Sequence, residues 1–222
     1  MIETLACLLL WGTVVGLDLV SVGQVMIARP LVAGTVAGAI AGDPVGGATV
    51  GAVLELFALD VLPVGAARYP DYGLGAVAAA ATAAGAPGAL GTGIGVCVGL
   101  AVAYLGELGI RAVRGLNTAD VRYRREALDA GDAAVVRATQ MRGLLRDALR
   151  SAVVTVLGLA IAALVYRWPP VTVQGAVLVT IVLIGAALGA GATGGMRLSG
   201  RGLHLRWFVL GVAAGVVWVI VT

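Results

Sequence analysis

Along this chain, apolar runs are broken by isolated charges, and the spacing of those breaks changes along the sequence. Up to about residue 116 the apolar pieces are short. Leu31–Gly42 has twelve residues, Val45–Leu54 has ten, and Asp43-Pro44 separates them. A helix needs about 20 apolar residues to cross a bilayer. Short pieces interrupted by Gly and Pro are the mark of broken or re-entrant helices, which usually line a transport site. Tyr72–Ala86 and Leu90–Ile110 read as ordinary spans. Residues 117–150 are polar and read as one amphipathic helix, capped at Thr118 or Asp120, that lies on the membrane surface, docks a partner or merely connects. From Ser151 onward three apolar runs follow: Ser151–Tyr166, Val171–Ala192 and Trp207–Thr222.

The pattern predicts an all-α, polytopic membrane protein in three regions. Residues 1–116 form an N-terminal membrane region with re-entrant segments and the substrate region. Residues 117–150 form a polar helix, and residues 151–222 form C-terminal transmembrane helices. Composition strengthens this reading. Of 222 residues, 60% are hydrophobic and 12% charged, whereas soluble domains are nearer 45–50% and about 25%. Residues 111–150 hold nine arginines against five acids, and 197–206 add three arginines and no acid. Two basic stretches separated by two spans share a side, and the positive-inside rule makes that side cytoplasmic. The "RWPP" turn at 167–170 and the C-terminus are then external. The net charge of +3 does not point to nucleic acid.

Candidate chemistry is sparse. "GAGATG" at 189–194 fits the dinucleotide pattern GxGxxG, but no strand is expected before it, and it reads as a helix ending in glycine. Cys7 and Cys97 read as buried free thiols. No cleaved leader is expected. The one histidine, His204, lies in a basic loop, and neither a metal cluster nor a nucleophile–base pair is visible; no cofactor is expected. Glycines recur every fourth residue at 34, 38, 42 and 46, a spacing that lets helices approach closely in lipid. Packing is the stronger reading of these glycines.

The charges inside apolar sequence carry more weight. Asp18, Ser21 and Gln24 fall three apart, which puts them on roughly one helical face. Arg29, Asp43, Glu55 and Asp71 stand at or near the ends of short apolar pieces. A charge in hydrocarbon costs about 2.5–3.5 kcal/mol on insertion scales, so these groups must face one another, a cavity or water. A purely structural ion pair is the competing reading for Arg29.

The stretches "DLVSVGQVMIARPLVAGTVAGAIAGDP" (18–44) and "GATVGAVLELFALDVLPVGAARYPDYG" (47–73) resemble the N-terminal half of the mannose/fructose/sorbose-type phosphotransferase enzyme IIC family. The matching elements are the Gln before "RPL", the glycine run ending in "GD", "GAxLEL", and "PVGAA" followed by "PD". The resemblance implies a sugar-translocating membrane subunit of a bacterial inner membrane, with no phosphorylated residue and no enzyme activity of its own. It implies a IID-type membrane partner, soluble IIA and IIB phosphocarriers, a hexose-like sugar and an oligomeric complex. It also implies that Asp18, Gln24, Arg29, Asp43, Glu55 and Asp71 lie in or near the substrate region. Asp60, Arg68 and the two tyrosines Tyr69 and Tyr72 are additions around the matching motif, which could change the sugar or form an inter-subunit contact. The alternative is a sensory or scaffolding membrane subunit derived from the same family.

Overall fold

The computed structural model describes residues 2–61, 67–86, 88–165 and 172–199, and every described element is helical. In chain order they are α1 (Ile2–Val20), α2 (Pro30–Ala41), α3 (Pro44–Ala58), α4 (Tyr72–Ala83), α5 (Gly88–Tyr123), α6 (Arg125–Asp129), α7 (Ala133–Val165) and α8 (Val173–Ser199). Among the described residues, α1, α5, α7 and Gln174–Gly194 of α8 are long and apolar enough to cross a membrane. The "RWPP" turn, the loop from residue 200 onward with His204, and the run Trp207–Thr222 lie outside the described residues.

The short pieces form a tight helical hairpin. Pro30 and Pro44 open α2 and α3, at the position where a missing N–H costs nothing. Gly42, at φ 93°, closes α2 in the left-handed conformation, and the amides of Gly42 and Asp43 donate to the carbonyls of Ala39 and Gly38. Asp43 then caps α3 by accepting from the Gly46 amide at 2.8 Å. The two helices meet along a glycine seam. A Cβ on Gly47 would lie 2.4 Å from the Gly34 carbonyl oxygen and 2.7 Å from the Gly38 Cα. Lipid tails are as apolar as the side chains, so such backbone contact is what association in a membrane rests on.

The hairpin packs on α4, which is the centre of the molecule. Ten of its twelve residues are buried, and it touches α1, α2, α3, α5 and α7. Tyr72–Ala86 is therefore not an ordinary span. Twelve helical residues reach roughly 18 Å, short of the roughly 30 Å hydrocarbon core. An Ala/Gly-rich helix buried on all sides has the same composition as one facing lipid, which explains the difference.

Three further expectations change. The polar stretch 117–150 is not one helix. It is shared by the end of α5, by α6 and by the first half of α7, with a reversal at Gly131 (φ 74°) and with Asp132 accepting from the Ala134 and Val135 amides. Thr118 and Asp120 sit inside α5 rather than at a cap. The "GAGATG" glycines do not stop α8, which continues to Ser199. Cys7 and Cys97 are free, as expected, but exposed on the apolar outer surface instead of buried.

Side-chain registers fix the directions. Gly12 faces Thr155 and Gly16 faces Ser151, so α1 and α7 are antiparallel. Gly93 of α5 faces Thr180 of α8, while Gly191 and Gly194 near the other end of α8 face Leu56 and Leu59 at the end of α3. The arginine-rich end of the molecule thus gathers the end of α1, the start of α2, the ends of α3 and α8, the start of α4 and the α5–α7 connection.

Candidate functional site

At that end, α1 stops at Val20 and the chain reverses before α2. The reversal passes through three left-handed residues, Gly23 (φ 89°), Gln24 (φ 50°) and Met26 (φ 70°). This conformation costs a non-glycine residue roughly 1–2 kcal/mol. Asp18 holds it: one carboxylate oxygen accepts from the Val25 amide at 2.8 Å and the other from the Ala28 amide at 3.1 Å. Asp18 is buried, whereas Gln24 is exposed. Ser21 and Gln24 lie beyond the helix, so the shared helical face expected for Asp18, Ser21 and Gln24 does not form.

The reversal, the end of α3 and the start of α4 enclose a cavity of about 320 Å³. That is within the usual size of small-molecule sites, about 300–1,000 Å³. Asp18, Gln24, Arg29 and Tyr69 supply polar groups to its wall; Met26, Pro30, Ala58 and Pro70 are among its apolar neighbours. Arg29 forms an ion pair with Glu55. Glu55 also accepts from the Leu31 amide at 3.2 Å, which ties the end of α3 to the start of α2. Glu55 is not part of the cavity wall; it fixes a residue that is.

The two remaining expected residues stand elsewhere. Asp43 is at the opposite end of the hairpin, beside a smaller pocket of about 200 Å³ with Val45, Thr49 and Thr92. Asp71 is wholly buried and caps α4 through the Leu74 amide at 3.2 Å. Its other oxygen accepts from Arg150 Nη1 at 2.7 Å. Arg150 Nε donates to Asp147 at 2.7 Å, and Nη2 to the Gly16 carbonyl at 3.2 Å and Ser151 Oγ at 3.1 Å. Ser21 donates its hydroxyl to Asp147. One arginine therefore joins the end of α1, the start of α4 and the middle of α7. Of the additions to the motif, Asp60 accepts from Thr193 Oγ1 at 3.4 Å, Arg68 is exposed, and Tyr69 and Tyr72 line the cavity.

Sequence reasoning missed Arg150, Asp147 and Arg114, whereas Tyr69 stood among the additions around the matching motif. Arg114 donates to the Ala67 carbonyl at 2.8 Å and to the Tyr69 hydroxyl at 3.1 Å, and its guanidinium lies 5.2 Å from the centre of the Tyr69 ring. Arg114 and Arg150 look like members of a solvated basic stretch, and only the fold shows which arginines turn inward. Tyr69 had a local signal, its place before Pro70-Asp71.

Apolar helices long enough to span a membrane, a glycine-seamed hairpin of half-length helices and a cavity at their junction define a polytopic membrane protein. Residues 2–190 match the family described as the phosphotransferase system sorbose-specific IIC component, and the chain belongs to that family. The mannose-specific EIIC component of Escherichia coli K12 is 30% identical over 129 residues, which is 58% of this chain and 48% of that protein. The sorbose-specific EIIC component of Lacticaseibacillus casei is 42% identical over 65 residues, 29% of this chain and 23% of that protein. The chain thus matches about half or less of the length of these relatives. Among solved structures, one described only as a membrane protein aligns with a TM-score of 0.71 at 19% identity, over 100% of this chain and 94% of that one. The mannose transporter ManYZ in complex with microcin E492 aligns at 0.64 and 20% identity, over 97% and 87%. At such identities these two support the fold alone.

Proposed function

We propose that this chain is the sugar-translocating IIC subunit of a mannose-family phosphotransferase system in a bacterial cytoplasmic membrane. A hexose-like sugar binds in the 320 Å³ cavity at the end of α1. Gln24 and Arg29 meet the sugar, because their side chains line the cavity. Amide and guanidinium groups suit vicinal hydroxyls, which both donate and accept. Asp18 and Glu55 act by position: one holds the left-handed loop and the other holds Arg29. Asp71 and Asp43 serve the helices that frame the site, as caps. The chain is not an enzyme by itself in this reading. A soluble IIB protein, charged by IIA, phosphorylates the sugar, and a IID-type membrane chain completes the complex. The observation that carries the reading is the cavity's place at the arginine-rich end, the end that the positive-inside rule assigns to the cytoplasm.

Sugar uptake by cells expressing this chain with its IID-type, IIB-type and IIA-type partners tests the reading. The four together accumulate sugar phosphate, and this chain alone accumulates none. Gln24→Ala lowers accumulation without lowering the yield of the membrane complex. Transport by the isolated chain would overturn the dependence on partners, and full transport by Gln24→Ala would remove this cavity as the sugar site.

A further inference from the structure

Beside the sugar cavity lies a second and larger one of about 490 Å³. It sits between the end of α1 and the polar halves of α5 and α7, farther toward the arginine-rich end. The two cavities share Leu19, Gln24 and Tyr69 as a common wall. Beyond that wall the second cavity presents mostly neutral hydrogen-bonding groups: the Ser21 hydroxyl and the amides of Asn117 and Gln140.

Its charges are unevenly balanced. Asp147, the carboxylate in the wall, is bound by the Ser21 hydroxyl and by Arg150, which it shares with Asp71. Arg114 has no carboxylate partner among the described residues. Its bonds go to a carbonyl and a phenol, which leaves its positive charge uncompensated while it is half-buried. A guanidinium carries five N–H donors, so donors remain for a further acceptor. An uncompensated guanidinium among neutral hydroxyl and amide groups is the chemistry that takes a phosphate ester: charge-assisted bonds to the phosphoryl oxygens, and neutral bonds to sugar hydroxyls.

We infer that this second cavity binds the phosphorylated sugar after the transfer, with Arg114 on the phosphoryl group and Asn117 and Gln140 on the hydroxyls. Product and substrate then occupy neighbouring chambers, separated by Tyr69 and Gln24. The inference rests on the sugar reading of the first cavity, since that chamber must supply the second.

The test is calorimetric titration of the purified complex of this chain with its IID-type partner. Hexose, hexose 6-phosphate and inorganic phosphate are titrated separately into the wild type, Arg114→Gln, Arg114→Lys and Gln140→Trp. In the wild type, hexose 6-phosphate binds more tightly than inorganic phosphate. Arg114→Gln weakens hexose 6-phosphate about tenfold or more, as loss of a charge-assisted bond does. Arg114→Lys keeps part of the affinity. Gln140→Trp, at an exposed position where bulk is tolerated, fills the chamber and abolishes binding of the phosphate ester. Free hexose binds the Gln140→Trp complex as it binds the wild type. Equal affinity for inorganic phosphate and hexose 6-phosphate would overturn the sugar part of the inference. Unchanged hexose 6-phosphate affinity in Gln140→Trp would overturn the site, even if Arg114→Gln fails to assemble. A wild-type complex that binds free hexose but no phosphate ester defeats this inference alone. One that binds no hexose defeats the reading of the first cavity.

Discussion

A single buried arginine, Arg150, decides how three helices meet. It is only 6% exposed and carries two carboxylates, Asp71 at 0% and Asp147 at 2%. Removing one partner of a buried ion pair costs about 3–5 kcal/mol, because the remaining charge is left unpaired. Arg150→Met strands two carboxylates, so it destabilises by about that amount. Asp71→Asn costs less, since asparagine still caps α4 and Arg150 keeps Asp147. Thermal unfolding of the purified protein ranks the two, and an Asp71→Asn protein less stable than Arg150→Met would contradict the network. At this scale the sequence was readable in part. Asp43 and Asp71 each stand where a helix begins, and that position announced them. Arg150 gave no sign, because its Asp71 partner is 79 residues away and its own surroundings read as a solvated basic helix.

At the scale of elements, the hairpin is the clearest case of sequence written into structure. The four-residue glycine period, the Asp-Pro break and the closing glycine were all visible, and each has the local role that its chemistry implies. Gly47→Val places branched carbons against the Gly34 carbonyl and the Gly38 backbone. Overpacking of this kind costs about 1–3 kcal/mol, and here the obstacle is backbone that cannot rotate aside. Gly185→Ala is the control: nothing lies within 4 Å of a Cβ there, and alanine in a helix gains up to about 1 kcal/mol over glycine. Detergent-resistant unfolding of the two variants should move in opposite directions, and a harmless Gly47→Val would refute the seam. Alpha-4 was misjudged because an alanine-rich run does not say whether lipid or protein surrounds it. The polar stretch was misjudged because its break falls at Gly131, amid residues that favour helix on both sides.

For the whole molecule, helix length meets membrane thickness. Thirty-six residues of α5 extend roughly 54 Å, well past the roughly 30 Å hydrocarbon core. The surplus, with α6 and the start of α7, projects from the arginine-rich end. Orientation follows from that charge. In a protein whose Cys7 and Cys97 are replaced by alanine, a cysteine at Ala134 resists an impermeant thiol reagent in intact cells, and one at Thr172, at the opposite end of the bundle, reacts. The reverse pattern would invert the topology. The layout of spans was legible from hydropathy, whereas the cavities were not, since they arise where segments distant in sequence converge.

The glycine seam also has a mechanical consequence. Two backbones in direct contact have no side chains between them to change rotamer, so the seam cannot yield locally. A displacement applied at the Arg29–Glu55 end reaches the Asp43 end nearly undiminished, and the hairpin behaves as a stiff lever. Compliance is then left to the left-handed loop before it, which is held by the two amides that Asp18 grips and by the Arg29 amide donating to the Met26 carbonyl. Stiffness in the arm and softness at its root set where the molecule bends.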